Sequence, residues 1–386
     1  MEIIYISPTV SEKTLNTIFK KTEKNPGFAS LKFNRLTVSG LSKVINKCTA
    51  LCNPPLTSDN WDKWFVHLPI ETQNGVYYHY IPFINVGRLK HLCIVLYSFL
   101  YVLWKGIINK RKCAIICDVL SVSGSIGALL ASKILLIKSV GIVTDLPWLV
   151  VPEGVKPKAM PKHSYLHWFT HYVFLTEQMN TEINKEDKPY IVMEGVCEEN
   201  NDKSIIKKYE KRTILYAGTL MEKYGIKTLV DAFINASLPN TQLIIYGDGP
   251  YAERLKELEN EYDIHYKGLA PTDIVVEEEK KATLLVNPRP TDEEYTKYSF
   301  PSKNMEYMTT GTPLLTTRLP GIPDEYKEYI FYFDDENANS FANKLREILS
   351  LTKDQLNEKG QSARNFVLKN KNNIVQAKRI IDLLKK

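Results

Sequence analysis

From residue 212 onward the chain alternates short apolar runs with amphipathic stretches, and this rhythm restricts the fold more than any other property of the sequence. TILYA (213–217) reads as a strand; a glycine-containing turn follows, then IKTLVDAFINA (226–236) with apolar residues at helical spacing. TQLIIYG (241–247), a GDGP turn and the helix YAERLKELEN repeat the unit, as do IHYKG, a short helix and TLLVN (283–287). Such a βαβα series predicts a parallel sheet with helices on both faces. The first half carries the same grammar less regularly, in CAIICDVL, SGSIGALLASKILL, VGIVTDLP, HYVFLT and YIVMEGV. The fold class is therefore α/β, and 386 residues suit two domains of roughly 100–200 residues each. The polar, turn-rich run CEENNDKS sets the expected boundary near Val196, giving domains 1–196 and 197–371. A basic amphipathic helix at about 372–386 is then available to pack back on the first domain.

Charge divides unevenly between these halves: residues 1–196 hold 22 Lys and Arg against 14 Asp and Glu, whereas the remainder is slightly acidic. The basic residues are scattered and accompany no nucleic-acid-binding motif, so nucleic acid is not an expected partner. An anionic membrane surface is, through the cluster Trp104, Lys105, Lys110, Arg111 and Lys112 beside an apolar run. That run, HLCIVLYSFLYVLWKGII (91–108), approaches the length of a membrane span but is interrupted by His91, Ser98 and Lys105, and reads as a buried helix preceding the strand CAIIC. The N-terminus shows no basic stretch followed by an apolar core, so a cytoplasmic location is expected, with a peripheral position on the inner face of the membrane.

No metal is expected. Cys113 and Cys117 lie in a strand pattern, where positions i and i+4 are roughly 13 Å apart and cannot grip one ion. Cys48 and Cys52 would face one ion only on a helix, and no second pair with suitable spacing follows. His163, His167 and His171 have helical i, i+4, i+8 spacing, but the aromatic-rich stretch around them reads as a packed helix face between the domains. Asp334 and Asp335 precede a helix and read as its cap.

The chemistry concentrates in NPRPTDEEYTKYSFPSKNMEYMTTGTP (287–313), which leaves a strand, crosses a polar loop and enters a helix with Pro301 in its first turn. A helix N-terminus at Ser302 presents free N–H groups and the positive end of the helix dipole, a ready diphosphate site to which Lys303 and Arg289 add full charges. One turn on, Glu306 projects along the same face, where a carboxylate can accept two hydroxyl hydrogen bonds from a ribose. The competing reading is a plain surface pair between Lys303 and Glu306. Gly218, Gly225, Gly247, Gly249 and Gly268 fall at strand ends, where ligands of open α/β sheets bind.

The pattern SFPSK, EYM and G-x-P, with YAGTL, YGIKTLVDAF, LIIYGDGP, KGLAP upstream and LPGIPDEY downstream, resembles the family-4 retaining glycosyltransferases over residues 212–350, and within them bacterial enzymes of surface-polysaccharide assembly. The resemblance implies the GT-B fold, two Rossmann-like domains whose parallel sheets face an interdomain cleft. It implies a retaining, metal-independent transfer from a nucleotide-diphosphate sugar to a glycan or lipid-linked glycan acceptor, with no cofactor. It implies the diphosphate against Ser302 and Lys303 and the ribose on Glu306, and the full set of expected donor contacts is Gly218, Thr219, Lys223, Gly247, Gly268, Arg289, Glu294, Tyr298, Ser299, Ser302, Lys303 and Glu306. Two departures stand out: Tyr298 occupies the position of the family's first motif glutamate, with Asp292, Glu293 and Glu294 nearby, and Thr219 and Tyr224 replace its phosphate-binding Arg and Lys. On the acceptor side, Asp145 at the end of the strand GIVT joins Lys303 and Glu306 as an expected catalytic residue, and Ser121, Ser123 and Gly124 end CAIICDVL in the same way.

Other readings share the alternating architecture. A dinucleotide oxidoreductase needs G-x-G-x-x-G and a later acid, whereas Gly247, Gly249 and Ala252 supply G-x-G-x-x-A without it. A sugar-nucleotide epimerase of the same fold, and a donor-binding protein without transfer activity, complete the alternatives.

Overall fold

The computed structural model describes residues 1–22, 28–58, 61–149, 160–199 and 206–386; much of the CEENNDKS run lies outside them. The chain forms two compact units, Met1–Glu198 with Asn372–Lys386, and Glu199–Lys371.

The first unit begins with β1 (Glu2–Ser7), α1 (Glu12–Thr22), α2 (Phe28–Val44), β2 (Cys48–Cys52), β3 (Phe65–Val66), β4 (Glu71–Gln73), β5 (Val76–Tyr80) and β6 (Phe83–Ile84). It continues through α3 (Gly87–Ile108), β7 (Cys113–Asp118), α4 (Val122–Leu135), β8 (Ser139–Val143), a 3-10 turn at Met160–Trp168, β9 (His171–Phe174), α5 (Glu177–Ile183) and β10 (Tyr190–Val192). An eight-stranded sheet in the order β10-β9-β8-β7-β1-β2-β5-β4 runs parallel except for the β4–β5 pair. Every residue of β1, β2, β7, β8 and β9 is buried, as continuous apolar runs in a parallel sheet covered on both faces should be.

The second unit comprises β11 (Arg212–Ala217), α6 (Ile226–Ala236), β12 (Thr241–Tyr246), α7 (Ala252–Leu258), β13 (Ile264–Gly268), α8 (Thr272–Lys281) and β14 (Leu284–Asn287). It closes with α9 (Ser302–Thr310), β15 (Leu314–Thr316), β16 (Phe331–Tyr332), α10 (Ala338–Ser350) and α11 (Lys353–Asn370). Its six strands run parallel in the order β13-β12-β11-β14-β15-β16, so β11 and β14 are central neighbours and the loops after them emerge side by side. In α6, Ile226, Leu229, Val230, Phe233 and Ala236 face the core at helical spacing and pack with Ile214, Leu243 and Leu284 of the strands. The last helix, α12 (Asn373–Leu383), belongs to the first unit: it lies on α2, Asn373 N–H donates to Cys197 O at 2.9 Å, and the Lys138 ammonium reaches Leu384 O at 2.8 Å.

Cys48 and Cys52 are buried free thiols on strand β2, packing residues as expected. Several local expectations are corrected. The histidine stretch is not one helix: His167 sits in the 3-10 turn, and His171 opens β9, buried, with its Nδ1 2.8 Å from Thr170 Oγ1. Asn337 caps α10 by accepting from Ser340 N–H, while Asp334 pairs with Lys344 and Asp335 accepts from Asn337 Nδ2. The 91–108 run is helical but not buried: Ile94, Ser98, Tyr101, Val102 and Gly106 face inward, and the opposite flank is solvent-exposed. Apolar content cannot distinguish a helix enclosed on all sides from one enclosed on one.

Candidate functional site

Polar groups gather at the carboxyl ends of β11, β12, β13 and β14 in the second unit. Backbone wedging brings the loops together. Gly247 has φ +135°, and a Cβ there would lie 1.8 Å from Gly218 O; its N–H donates to Gly268 O at 2.9 Å. Gly225, φ +83°, ends the 3-10 turn Glu222–Tyr224, and a Cβ on it would lie 2.0 Å from Pro288 O, which seats that turn against the loop after β14.

Arg289 leaves β14 into this junction. Its guanidinium lies 5.3 Å from the Tyr224 ring and 5.7 Å from the Tyr295 ring, and Lys223 Nζ lies 5.5 Å over the Tyr224 ring. Both rings are within the roughly 6 Å over which a cation is attracted to an aromatic ring. Thr317 Oγ1 donates to Arg289 O and fixes the backbone. Three side-chain atoms here are buried without a hydrogen-bond partner among the described residues: Arg289 Nε, Tyr295 OH and Ser299 Oγ. Orphaned polar atoms are costly in a folded chain, and three at one strand end mark a place built to receive polar groups.

Helix α9 starts at the same end. Pro301 is its N-cap, one position earlier than the first-turn placement expected, and no side chain caps the helix, so Ser302 opens it exposed with the first-turn N–H groups uncapped by side chains. Two buried contacts anchor it: Asn287 Nδ2 donates to Asn304 Oδ1 at 2.7 Å, and the fully buried Tyr307 hydroxyl accepts from Ala217 N–H at 2.8 Å. Lys303 Nζ lies 2.5 Å from Glu306 Oε1 and 3.6 Å from Oε1 of Glu279, a wholly buried residue of α8. Burial alone would lower the Lys303 pKa, but attraction first to Glu306 and then to Glu279 outweighs it and raises the pKa, so the side chain is an ammonium at neutral pH. One cation thus serves two carboxylates, and Glu306 retains partial access to solvent at 15% side-chain exposure.

Of the residues expected at the donor, the structure brings Gly218, Lys223, Arg289, Ser299, Ser302, Lys303 and Glu306 to this end of the sheet, with Gly247 and Gly268 on the adjoining loops. Thr219 is exposed, its carbonyl accepting from Tyr216 OH at 2.9 Å. Glu294 and Tyr298 bracket a 3-10 turn, Glu294 exposed and Tyr298 half-buried. Asp145 is separate from these: it lies exposed just past β8 in the first unit. There Ser121 Oγ donates to Asn53 Oδ1 at 2.6 Å, Ser123 Oγ is 2.8 Å from His91 Nδ1, and Gly124 is so close to Ile6 that a Cβ would lie 2.8 Å from it. No group of three or more His, Cys, Asp or Glu among the described residues is arranged to hold a metal ion.

Sequence reasoning missed three members, Glu279, hidden in the charged run EEEKK, and Tyr295 and Tyr224 beside Arg289, and in the first unit it gave no sign of Asp118. The last is fully buried at the end of β7, where its carboxylate accepts from Asn34 Nδ2 at 2.8 Å and Leu120 N–H at 2.9 Å, and Tyr5 OH donates to Asn34 at 2.6 Å. Burial raises its pKa.

Residues 198–385 match the family model of glycosyl transferases group 1. Three solved structures share the fold across the whole chain. HepE of Anabaena, crystallised with UDP, superposes with a TM-score of 0.63 at 13% identity, covering 100% of both chains. The sucrose-phosphate synthase of Thermosynechococcus elongatus gives 0.65 at 15% identity over 100% of this chain and 98% of that one. The apo lipopolysaccharide outer core galactosyltransferase WaaB gives 0.61 at 15% over 100% and 99%. No curated protein sequence matches the chain.

Proposed function

Because residues 198–385 are a glycosyl transferases group 1 domain within a chain of GT-B fold, we propose that the protein is a retaining glycosyltransferase that moves a sugar from a nucleotide diphosphate onto a glycan or lipid-linked glycan acceptor in polysaccharide biosynthesis. The observation that carries the reading is the junction of Arg289, with Tyr224 and Tyr295 beside it, the start of α9, which no side chain caps, and the orphaned Ser299 Oγ. A diphosphate supplies the acceptor oxygens these donors lack. Glu306, one turn along α9, is the carboxylate for the ribose hydroxyls, oriented by its contact with Lys303.

The charge count assigns the phosphate work. Lys303 is shared between Glu306 and Glu279, so it mainly steadies the ribose-binding carboxylate, and the charge developing on the leaving diphosphate falls to Arg289, the α9 dipole and Lys223. In a retaining transfer the acceptor hydroxyl attacks from the face the nucleotide leaves, and the departing phosphate helps take its proton; the protein contributes position and charge. The diphosphate is neutralised by these fixed groups, and the reaction proceeds without a divalent ion or cofactor. Asp145 is assigned to the acceptor. The enzyme works in the cytoplasm.

A thermal-shift panel of UDP-, GDP- and dTDP-sugars tests the donor, since a ligand at about 100 times its Kd stabilises by ~2.7 kcal/mol. Release of nucleoside diphosphate that depends on an added acceptor extract then tests transfer. Stabilisation by none of the three sinks the donor site; stabilisation without acceptor-dependent release leaves a binding protein.

A further inference from the structure

We infer that the outer face of α3 and α4 is a docking surface for an anionic lipid bilayer. Along α3, Leu89, Leu92, Leu96, Leu100, Trp104 and Ile107 recur at three- and four-residue spacing, each at least half exposed. Helix α4 extends the stripe with Leu130 and Ile134. The two helices lie in parallel and almost in backbone contact: a Cβ on Gly127 would lie 2.2 Å from Val95 O, and one on Gly106 would lie 2.2 Å from Leu135 Cδ1. Their C-terminal ends therefore share one end of the unit.

Charge identifies the occupant. Between residues 87 and 144 there are eight Lys and Arg and one acid, Asp118, which is buried. Exposed Arg88 stands at the start of the stripe, and exposed Lys110, Arg111 and Lys112 at its end. An apolar stripe framed by cations and lacking acids complements headgroup phosphates over acyl chains. Two copies of the same face would repel each other. Helix α3 is long enough to cross a bilayer, but Ser98, Tyr101 and Val102 are buried on the first unit, so it lies in the interface with about 33 Å of its length along the surface.

The backbone adds an independent observation. Lys110 (φ 49°), Arg111 (φ 62°) and Leu136 (φ 54°) end the two helices in the left-handed region that favours glycine or asparagine, yet they are two cations and a leucine that is 83% exposed. Nothing in the fold of the unit requires those side chains; a bilayer uses all three.

Co-sedimentation of the full chain with vesicles of phosphatidylcholine alone, or of phosphatidylcholine mixed with phosphatidylglycerol, tests the surface. Stronger binding to the mixed vesicles is expected, weakening as salt is added. Leu96→Glu/Leu100→Glu abolishes binding with Tm unchanged, as does not happen for Ile70→Glu, an exposed apolar residue elsewhere in the unit. Lys110→Gly/Arg111→Gly gives the sharper sign: relieved of left-handed strain the variant melts higher, yet binds the mixed vesicles about tenfold or more weakly. No binding, equal binding to both vesicles, or a concentration-dependent dimer in solution that Leu96→Glu/Leu100→Glu dissolves, overturns the assignment.

Discussion

The ammonium of Lys303 lies 2.5 Å from the carboxylate of Glu306, one turn along α9, and the same ammonium lies 3.6 Å from Oε1 of buried Glu279. The pair is a lever on both stability and donor recognition, and the two effects separate by mutation.

Glu306→Gln keeps the side chain's size and removes its charge. Hydrogen bonds to a charged group contribute roughly 1.5–3 kcal/mol, so donor use should fall by one to two orders of magnitude. The charge lost on Glu306 leaves Lys303 its contact with Glu279, and the Gln side chain still reaches it, so Tm should fall by no more than about 1 kcal/mol of stability would move it. Turnover measured beside Tm decides; wild-type kinetics in the variant would remove Glu306 from the site.

Lys303→Met takes the ammonium at 3.6 Å away from the buried Glu279 carboxylate. The loss of stability should approach the roughly 3 kcal/mol seen when one partner of a buried pair is removed, reduced by the partial exposure of Lys303. Adding Glu279→Gln should restore most of the denaturation midpoint and leave activity impaired. If the double variant unfolds as readily as the single, Glu279 is not the cause.

Arg289→Lys should weaken nucleoside diphosphate binding about tenfold or more, because a lysine keeps the charge but presents no planar fork to the phosphates and packs less well beside Tyr224 and Tyr295. Calorimetric titration with UDP and GDP reads the effect. Unchanged affinity for both would place the diphosphate elsewhere.

Gly225→Ala meets two obstacles at once, a φ of +83° and a Cβ driven to 2.0 Å from Pro288 O. A loss above about 1 kcal/mol is expected from the conformation alone, and the shifted turn should carry Tyr224 away from Arg289, so stability and nucleotide affinity fall together. Thermal melts with and without UDP check both.

Asp118 provides a pH signature. Its folded pKa is raised by burial, so the native state binds a proton more readily than the unfolded chain. Its contribution is fully present below the ordinary carboxylate pKa and is lost as pH rises through the folded value. Burial lowers the pKa of half-buried His79 and of buried His171, which act in the opposite sense at mildly acid pH, so the comparison must be with Asp118→Asn: wild-type stability minus variant stability should fall as pH rises above the ordinary carboxylate range. A flat difference contradicts it.

The alternation after residue 212 was readable because α6 and the strands β11, β12 and β14 each bury a full face, which imposes period on sequence. The run from Asn287 to Thr310 was readable for another reason: Pro301, Ser302, Lys303 and Glu306 lie within two turns, so local spacing stands in for geometry. Glu279 was not, since it meets Lys303 across 24 positions from within a run of charges that looks solvated. Tyr224 and Tyr295 likewise converge on Arg289 only through the β11–β14 adjacency. In the first unit, Asp118 sits in an apolar run and gives no sign that Asn34, 84 positions away, supplies its partner. The exposed flank of α3 has the composition of a core helix.

The return of α12 to the first unit sets an order of assembly. The helix lies on α2, and Arg379 and Gln376 tie it to Val192 O and Gly195 O at 2.7 and 2.8 Å. The residues that complete the first unit are thus made after the whole of the second, which can collapse on the ribosome as soon as residue 371 has emerged. The unit begun first is therefore the one finished later: until α12 is made, the face of α2 that it covers has no partner from its own unit.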